Sequence, residues 1–353
     1  MLSEGIVTTN EWLHVFRKSI PAYKRAAAAD PAVPEAARPA AVEAFERAFA
    51  GVLDALERDP TLEEVDGFVT APLSCATLCR ARDQALHRAG FFDIFKPLKD
   101  RENDLALKLL PGVLRELDAE PDAGRRLELA LRGVFAGNIF DQGCAETAAR
   151  TDSSGEGGAS GTFAATRAQL LPRPWAVDDL DALLSHFASR PQPHRKAILF
   201  VDNAGPDVVL GMVPLARELL KRGTQVVLAA NEAPSINDIT AGELRPLLAR
   251  AADADPLLAR CLAERALRVV SSGNDLGVID LSEVSREVAA EAEDGCDLVV
   301  CEGMGRGIET NLRAAFGCDS AKLGMIKHPE VARLLNGRMY DIVCKFDPAP
   351  AGQ

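Results

Sequence analysis

Asp202 and Asn203 stand side by side where an apolar run, Ala197-Ile198-Leu199-Phe200-Val201, gives out. A carboxylate next to an amide carbonyl offers two hard oxygen donors of the kind that suit a divalent cation. The same pair, ahead of Ala204-Gly205, also suits a tight turn. Other apolar runs end in comparable groups: Asn231, Ser271-Ser272, Glu302-Gly303 and Lys327-His328, with Lys345 inside the last run. Any one of these is what a solvated strand end looks like. As a set they are more polar than a structural rim needs, and they point to a site.

Asn237-Asp238 lies at the start of a helical pattern, where an acid caps the first turn or one residue caps while the other binds. Glu302-Gly303-Met304-Gly305-Arg306-Gly307 is a glycine-rich turn leading to Thr310-Asn311. Glycines let a backbone approach phosphate, and Arg306 supplies a bidentate partner. The spacing is not the dinucleotide fingerprint, which would follow the first strand. Lys345, flanked by Cys344 and Phe346, either snorkels outward or enters the site as a phosphate-binding cation. Asn138 and Asp141 fall three apart, on one helical face. Lys99-Asp100-Arg101-Glu102-Asn103 reads as a solvated charge run. The five histidines show no ligand spacing, and no Ser–His–Asp order suggests acyl transfer. Ala204 stands where the second aspartate of a D-x-D phosphatase nucleophile would be.

The elements that must position these groups are strands and helices in alternation. Lys196 to Thr240 reads strand–helix–strand, with a crossover helix from Asp207 to Arg222. Further apolar runs at Leu267–Val270, Asp297–Cys301, Leu323–Ile326 and Tyr340–Val343 are separated by helical patterns over Ala251–Arg265, Leu281–Glu293 and Asn311–Gly317. This predicts an α/β fold: a doubly wound, mostly parallel, Rossmann-like sheet, with ligands expected beyond the carboxyl ends of its strands and an antiparallel strand at its close. The first half is helical, over Ala41–Asp59, Leu73–Ala89, Glu102–Leu117 and Arg125–Ala149, and Trp175–Ser189 also reads as helix. The expected division is an N-terminal arm at 1–40, an all-helical cap at 41–150, a linker and connecting helix at 151–194, and an α/β domain at 195–347. Ser/Gly-rich Thr151–Thr162 reads as a flexible loop.

With 47% hydrophobic and 26% charged residues, the 353-residue chain is globular in composition. Its net charge of −12 argues against nucleic acid or an anionic membrane as a partner. The eight cysteines form no CxxC pair, which argues against a zinc site and for a reducing compartment. No signal pattern or membrane-length apolar run is evident, so the cytoplasm is expected.

The segment FVDNAGPDVVLGMVPLARELLKRGTQVVLAANEAPSINDIT resembles the core of the damage-control metal-dependent phosphatases, long catalogued as domain of unknown function eighty-nine. GVFAGNIFDQG at Gly133–Gly143, DLVVCEGMGRGIETNLRAAF at Asp297–Phe316 and GFFDIFKPLKDRENDLAL at Gly90–Leu107 support the likeness, which spans most of residues 70–347 and leaves out the arm and the Ser/Gly stretch. The pantetheine-phosphate branch is the most similar. The resemblance implies a divalent metal (manganese, cobalt, nickel or magnesium) held by Asp202, Asn203 and Asp238, with Asp238 as ligand or general base. It implies phosphate contacts from Lys345, Glu302, Gly303, Gly305 and Arg306, and Asn138 and Asp141 lining the cap side. The implied substrate is a small phosphorylated metabolite, 4′-phosphopantetheine or its oxidised forms. The alternatives are a sugar-phosphate phosphatase, carboxyl methyl transfer, which the missing glycine loop after the first strand disfavours, and a non-enzymatic metabolite-binding module.

Overall fold

The structure, a computed structural model, describes residues 9–139 and 158–350. Helices α1 (Thr9–Ala29) and α2 (Arg38–Arg58) open the chain, followed by a two-stranded ribbon, β1 (Glu64–Val65) and β2 (Phe68–Val69). Then come α3 (Cys75–Arg88), α4 (Lys96–Ala119), α5 (Ala123–Gly137), α6 (Gly158–Ala168), the short β3 (Val177–Asp178) and α7 (Leu180–Ser189).

The second half alternates. β4 (Lys196–Phe200) leads through a π-helical turn at Asp207–Met212 into α8 (Val213–Lys221), β5 (Gln225–Ala230), α9 (Ala241–Ala252), α10 (Pro256–Ala263) and β6 (Leu267–Ser271). α11 (Arg286–Glu293), β7 (Leu298–Glu302), a second π-helical turn at Met304–Glu309, β8 (Asp319–Met325), α12 (Pro329–Leu334) and β9 (Ile342–Asp347) complete it.

Seven strands form one sheet in the order β3-β9-β8-β7-β4-β5-β6. β4 to β8 are mutually parallel, and β9 turns back antiparallel against β8, as the sequence predicts. From β4 the chain steps outward to β5 and β6, then returns to β7 on the other side of β4. That reversal opens a crevice at the carboxyl ends of β4 and β7, the place where such sheets bind ligands.

Period-two alternation sorts the core. Leu199, Val201, Leu228, Ala230 and Val300 pack one sheet face against α4, α5, α7 and α8. Ile198, Phe200, Val227, Ala229 and Cys301 pack the other face against Val288 of α11 and Ile279. A separate cluster joins α1, α2 and α3 to Leu276, Met304, Ile308 and Val343 over the carboxyl edge.

The packing therefore splits the expected cap. α4 and α5 are a sheet layer, whereas α1 to α3 cover the site edge. The stretch set apart as an arm supplies α1, whose Trp12, Phe16 and Tyr23 are buried. The expected solvated charge run is overturned, because Lys99, Glu102 and Asn103 are all buried. Residues 158–162, expected in the loop, begin α6. Asn311–Gly317 forms turns rather than helix.

Candidate active site

β4 ends at Phe200, and the next residues are held by a second segment rather than by a turn of their own. Ile239 N–H donates to Asp202 O (3.0 Å), and Ala204 N–H donates to Asn237 O (2.9 Å). This antiparallel bridge sets Asn203 opposite Asp238. The helix-cap role expected near Asp238 falls to Thr240, whose side chain and that of Glu243 form a capping box on α9. Asp238 is thus released for other use. Ile236, just before it, sits at φ 51°, a region costly for a β-branched residue and typical of functional sites.

Arg306 lies between the two acids. Its Nη1 pairs with Asp202 Oδ1, and its Nη2 donates to Asp238 Oδ2 (2.7 Å) and Asn231 Oδ1 (2.8 Å). The glycines around it serve this packing. Gly303 has φ 102°, and a Cβ there would stand 2.3 Å from Asp202 Oδ2. A Cβ on Gly305 would stand 2.2 Å from the Gly277 carbonyl oxygen. The turn is anchored by Asn311 Nδ2, which donates to Arg306 O (2.8 Å) and Ile279 O (3.1 Å).

Beneath this pair lies a second set of acids. Asp202, Asp207 and Glu302 each offer an oxygen within 4.8 Å of the other two. Asn138, at the carboxyl cap of α5, donates from Nδ2 to Glu302 Oε1 (2.8 Å), with Asp207 Oδ2 (3.2 Å) and Asp202 Oδ2 (3.3 Å) also in reach. A close crossing brings it there: a Cβ on Gly137 would stand 2.7 Å from Asp207 Cα. Burial pushes Glu302 well above the ordinary glutamate range, and the charge of Asp207 adds to the effect; Lys327 opposes it. Burial likewise raises Asp207, opposed first by Lys327.

The set fits a divalent cation. Asp202, Asp207, Asp238 and Glu302 bring four formal negative charges and Arg306 and Lys327 two positive, 2 − 4 = −2, all of them buried. Asn203 Oδ1 and Asp207 Oδ1 are buried without a hydrogen-bond partner among the described residues, a costly state for a polar atom unless a ligand completes it.

The acids open onto a cleft of about 590 Å³ counting its mouth. Asp202, Asp238, Met304 and Gly305 form its sheet side; Trp12 and Phe16 of α1, and Cys75, Cys79 and Arg82 of α3, form its helical side. Of the sequence-predicted residues, Asp202, Asn203, Asp238, Asn138, Glu302, Gly303, Gly305 and Arg306 come together.

Lys345 does not. It sits mid-strand on β9 opposite Lys322, and its Nζ pairs with Asp347. Because β9 runs antiparallel, its first residue, Ile342, reaches the site edge and Lys345 points away from it. Asp141 lies outside the described residues. Asp207 was hidden in a presumed helix start and Lys99 in a charge run. Lys99 Nζ pairs with Asp93 and Glu243 and approaches Asp238 O (3.5 Å).

Comparison with known proteins shows the family and the fold. The family model of the damage-control phosphatase ARMT1-like domain matches residues 13–343, taking in α1. The chain is 49% identical over 342 residues to damage-control phosphatase At2g17340 of Arabidopsis thaliana, covering 96% of this chain and 89% of that one. It is 30% identical over 395 residues to the 4′-phosphopantetheine phosphatase of Mus musculus, covering 98% of this chain and 46% of the mouse protein. The crystal structure of a DUF89 family protein from Pyrococcus horikoshii superposes with a TM-score of 0.63 at 19% identity, over 95% of this chain and 96% of the other, and so shares the fold.

Proposed function

This chain belongs to the damage-control phosphatase ARMT1-like family, and on that premise we propose that it hydrolyses small phosphomonoester metabolites with a divalent cation at the carboxyl edge of its sheet. 4′-Phosphopantetheine or its oxidised forms are the substrates we expect, a reading supported by the name of the mouse relative. The observation that carries the proposal is the buried Asn203 Oδ1, unpartnered in a basin of excess negative charge that opens on a cleft.

Asp202, Asn203 and Asp238 would hold the ion. When bound, it would polarise a phosphoryl oxygen and acidify a water, the two needs of phosphomonoester hydrolysis. The protein groups do the rest. Arg306, already fixed against Asp202 and Asp238, presents a planar cation to the charge that spreads over the phosphoryl oxygens. Burial raises both Asp207 and Glu302 beneath the ligand set, and Lys327 opposes the rise in each. Asn138 holds these acids in place through Nδ2 and takes the Met325 N–H on Oδ1 (3.2 Å). The aromatic wall from α1 keeps bulk water from the reacting centre. The free thiols of the described residues suit a reducing compartment, and we place the protein in the cytoplasm. No helix of the described residues is long and apolar enough to cross a membrane.

The test is phosphate release from 4′-phosphopantetheine and a panel of sugar phosphates with manganese, cobalt, nickel and magnesium in turn. Turnover that a chelator abolishes is expected, with phosphopantetheine forms preferred. Faster release from sugar phosphates would move the substrate elsewhere in the family, and no release with any ion would sink the reading.

A further inference from the structure

Arg82, on the helical side of the cleft, is only 3% exposed, yet its Nη2 has no hydrogen-bond partner among the described residues. The guanidinium is otherwise tightly held. Its Nε donates to Asp83 Oδ1 (2.8 Å), and its carbon stands 4.8 Å from the Tyr23 ring centroid and 5.7 Å from that of Phe16. Asp83 cannot take a second bond from it easily, because its Oδ2 accepts the Ser235 hydroxyl (3.0 Å). Burial opposes the charge of Arg82, and Asp83 is the largest group that favours it. A buried, ring-stacked guanidinium with an idle fork facing a cleft is a preorganised oxyanion receptor.

We propose that Arg82 selects the far end of the substrate: a phosphomonoester that carries, beyond an uncharged spacer, a second oxyanion such as a carboxylate or sulfonate. The phosphate end lies at Arg306 and the sheet edge. The spacer lies along Trp12 and Phe16, and the second oxyanion meets Arg82 Nη2. Away from Asp202 and Asp238, the other polar groups lining the cleft are Ser19, the Cys75 and Cys79 thiols, Glu309 and His328, the last packed edge-on against Trp12. The proposal rests on the phosphatase reading and adds to it a specificity determinant that acts away from the reacting phosphorus.

The experiment compares alkyl phosphates with ω-carboxyalkyl phosphates of matched length on wild type, Arg82→Met and Arg82→Lys, with folding checked by circular dichroism. Wild type should favour the carboxylate at one chain length by roughly 10–100-fold in kcat/KM, the span of a charge-assisted hydrogen bond. Arg82→Met should lose that preference through KM while keeping kcat on plain alkyl phosphates, and Arg82→Lys should recover part of it. An equal preference in wild type and Arg82→Met overturns the proposal. So does a uniform fall of kcat on every ester, which would put Arg82 on the reacting phosphoryl group. If wild type hydrolyses no phosphomonoester with any ion, the phosphatase reading fails first. Calorimetry with alkanesulfonates, which carry no phosphorus, then decides Arg82 alone. Binding to wild type that Arg82→Met abolishes supports it, and its absence from wild type overturns it.

Discussion

At the amino edge of the sheet, Asp319 meets His186 Nε2 at 2.6 Å and His194 Nε2 at 2.8 Å, and accepts bonds from Arg190 Nη1 (3.0 Å) and the Ala349 N–H (2.7 Å). At the carboxyl edge, Asn203 and Asp207 each keep a buried oxygen that no group of the described residues satisfies. Both edges hold a trio of side chains close enough to share an ion. They differ in completion. Although burial pushes Asp319 up, its bonds to Ala349 and the two histidines hold it below the ordinary range. Burial raises Glu302 and Asp207 instead, although Glu302 accepts the Asp202 N–H (3.0 Å) and Asn138 Nδ2 (2.8 Å). Arg190 already occupies the approach to Asp319, so the amino edge has closed on itself as a structural knot. The carboxyl edge keeps acids in excess even with Arg306 paired to Asp202 and Asp238. Proximity of acids alone does not separate a site from a brace; the state of their lone pairs does.

Exchanging the fates of the two aspartates is the severest way to break this comparison. Asp202→Ala should cut phosphate release by about 10²–10³-fold or more, and it should also lower the unfolding midpoint, since it strips the buried Arg306 of one carboxylate partner. Asp319→Ala should spare activity. It should keep turnover within about twofold but lose on the order of 3 kcal/mol in urea unfolding, because buried donors are orphaned. Equal losses of activity from both variants would erase the distinction.

A smaller effect sharpens it. Manganese at a hundred times its dissociation constant should stabilise wild type by about 2.7 kcal/mol in thermal or urea unfolding, and Asn203→Ala should respond far less. Asp319→Asn should respond as wild type does; a response lost there instead would place the ion at the wrong edge.

The subtlest test is pH. Glu302 binds its proton more tightly folded than unfolded, so in chelator its contribution to stability is complete below its ordinary value of 4.5 and drains as pH climbs through the raised one. Asp319 contributes above its ordinary 3.8 and is lost as pH falls through its lowered value. Glu302→Gln should therefore flatten the alkaline decline of unfolding free energy, and Asp319→Asn the acid decline. The opposite pairing would show the two edges misread.

Much of the site was legible because strand ends announce themselves. An apolar run that stops at Asp202-Asn203 or Glu302-Gly303 fixes both a place in the sheet and a chemistry. Lys345 misled because its meaning depends on strand direction. In a parallel strand a late lysine approaches the crevice, whereas in the antiparallel β9 it recedes from it. Asp207 and Lys99 were unreadable for another reason. Their burial depends on the crossing of α5 at Gly137 and on the docking of α4, contacts between segments distant in sequence. Arg82 sat unremarked in a helix whose polar pattern looks like a surface, and only the covering α1 makes it interior.

That covering helix carries a temporal consequence. Trp12 and Phe16 pack in one cluster with Met304, Ile326 and Val343, so the cluster that holds α1 closes only after β9 has been made. At roughly 5–20 residues per second that is a delay of roughly 15–70 s, during which α2 covers only part of the α1 aromatics, through Phe45 and Phe49. The cleft therefore acquires its complete wall only once β9 has been made. A nascent chain has no selective pocket to offer a metabolite, and it carries an adhesive flank for a chaperone to hold.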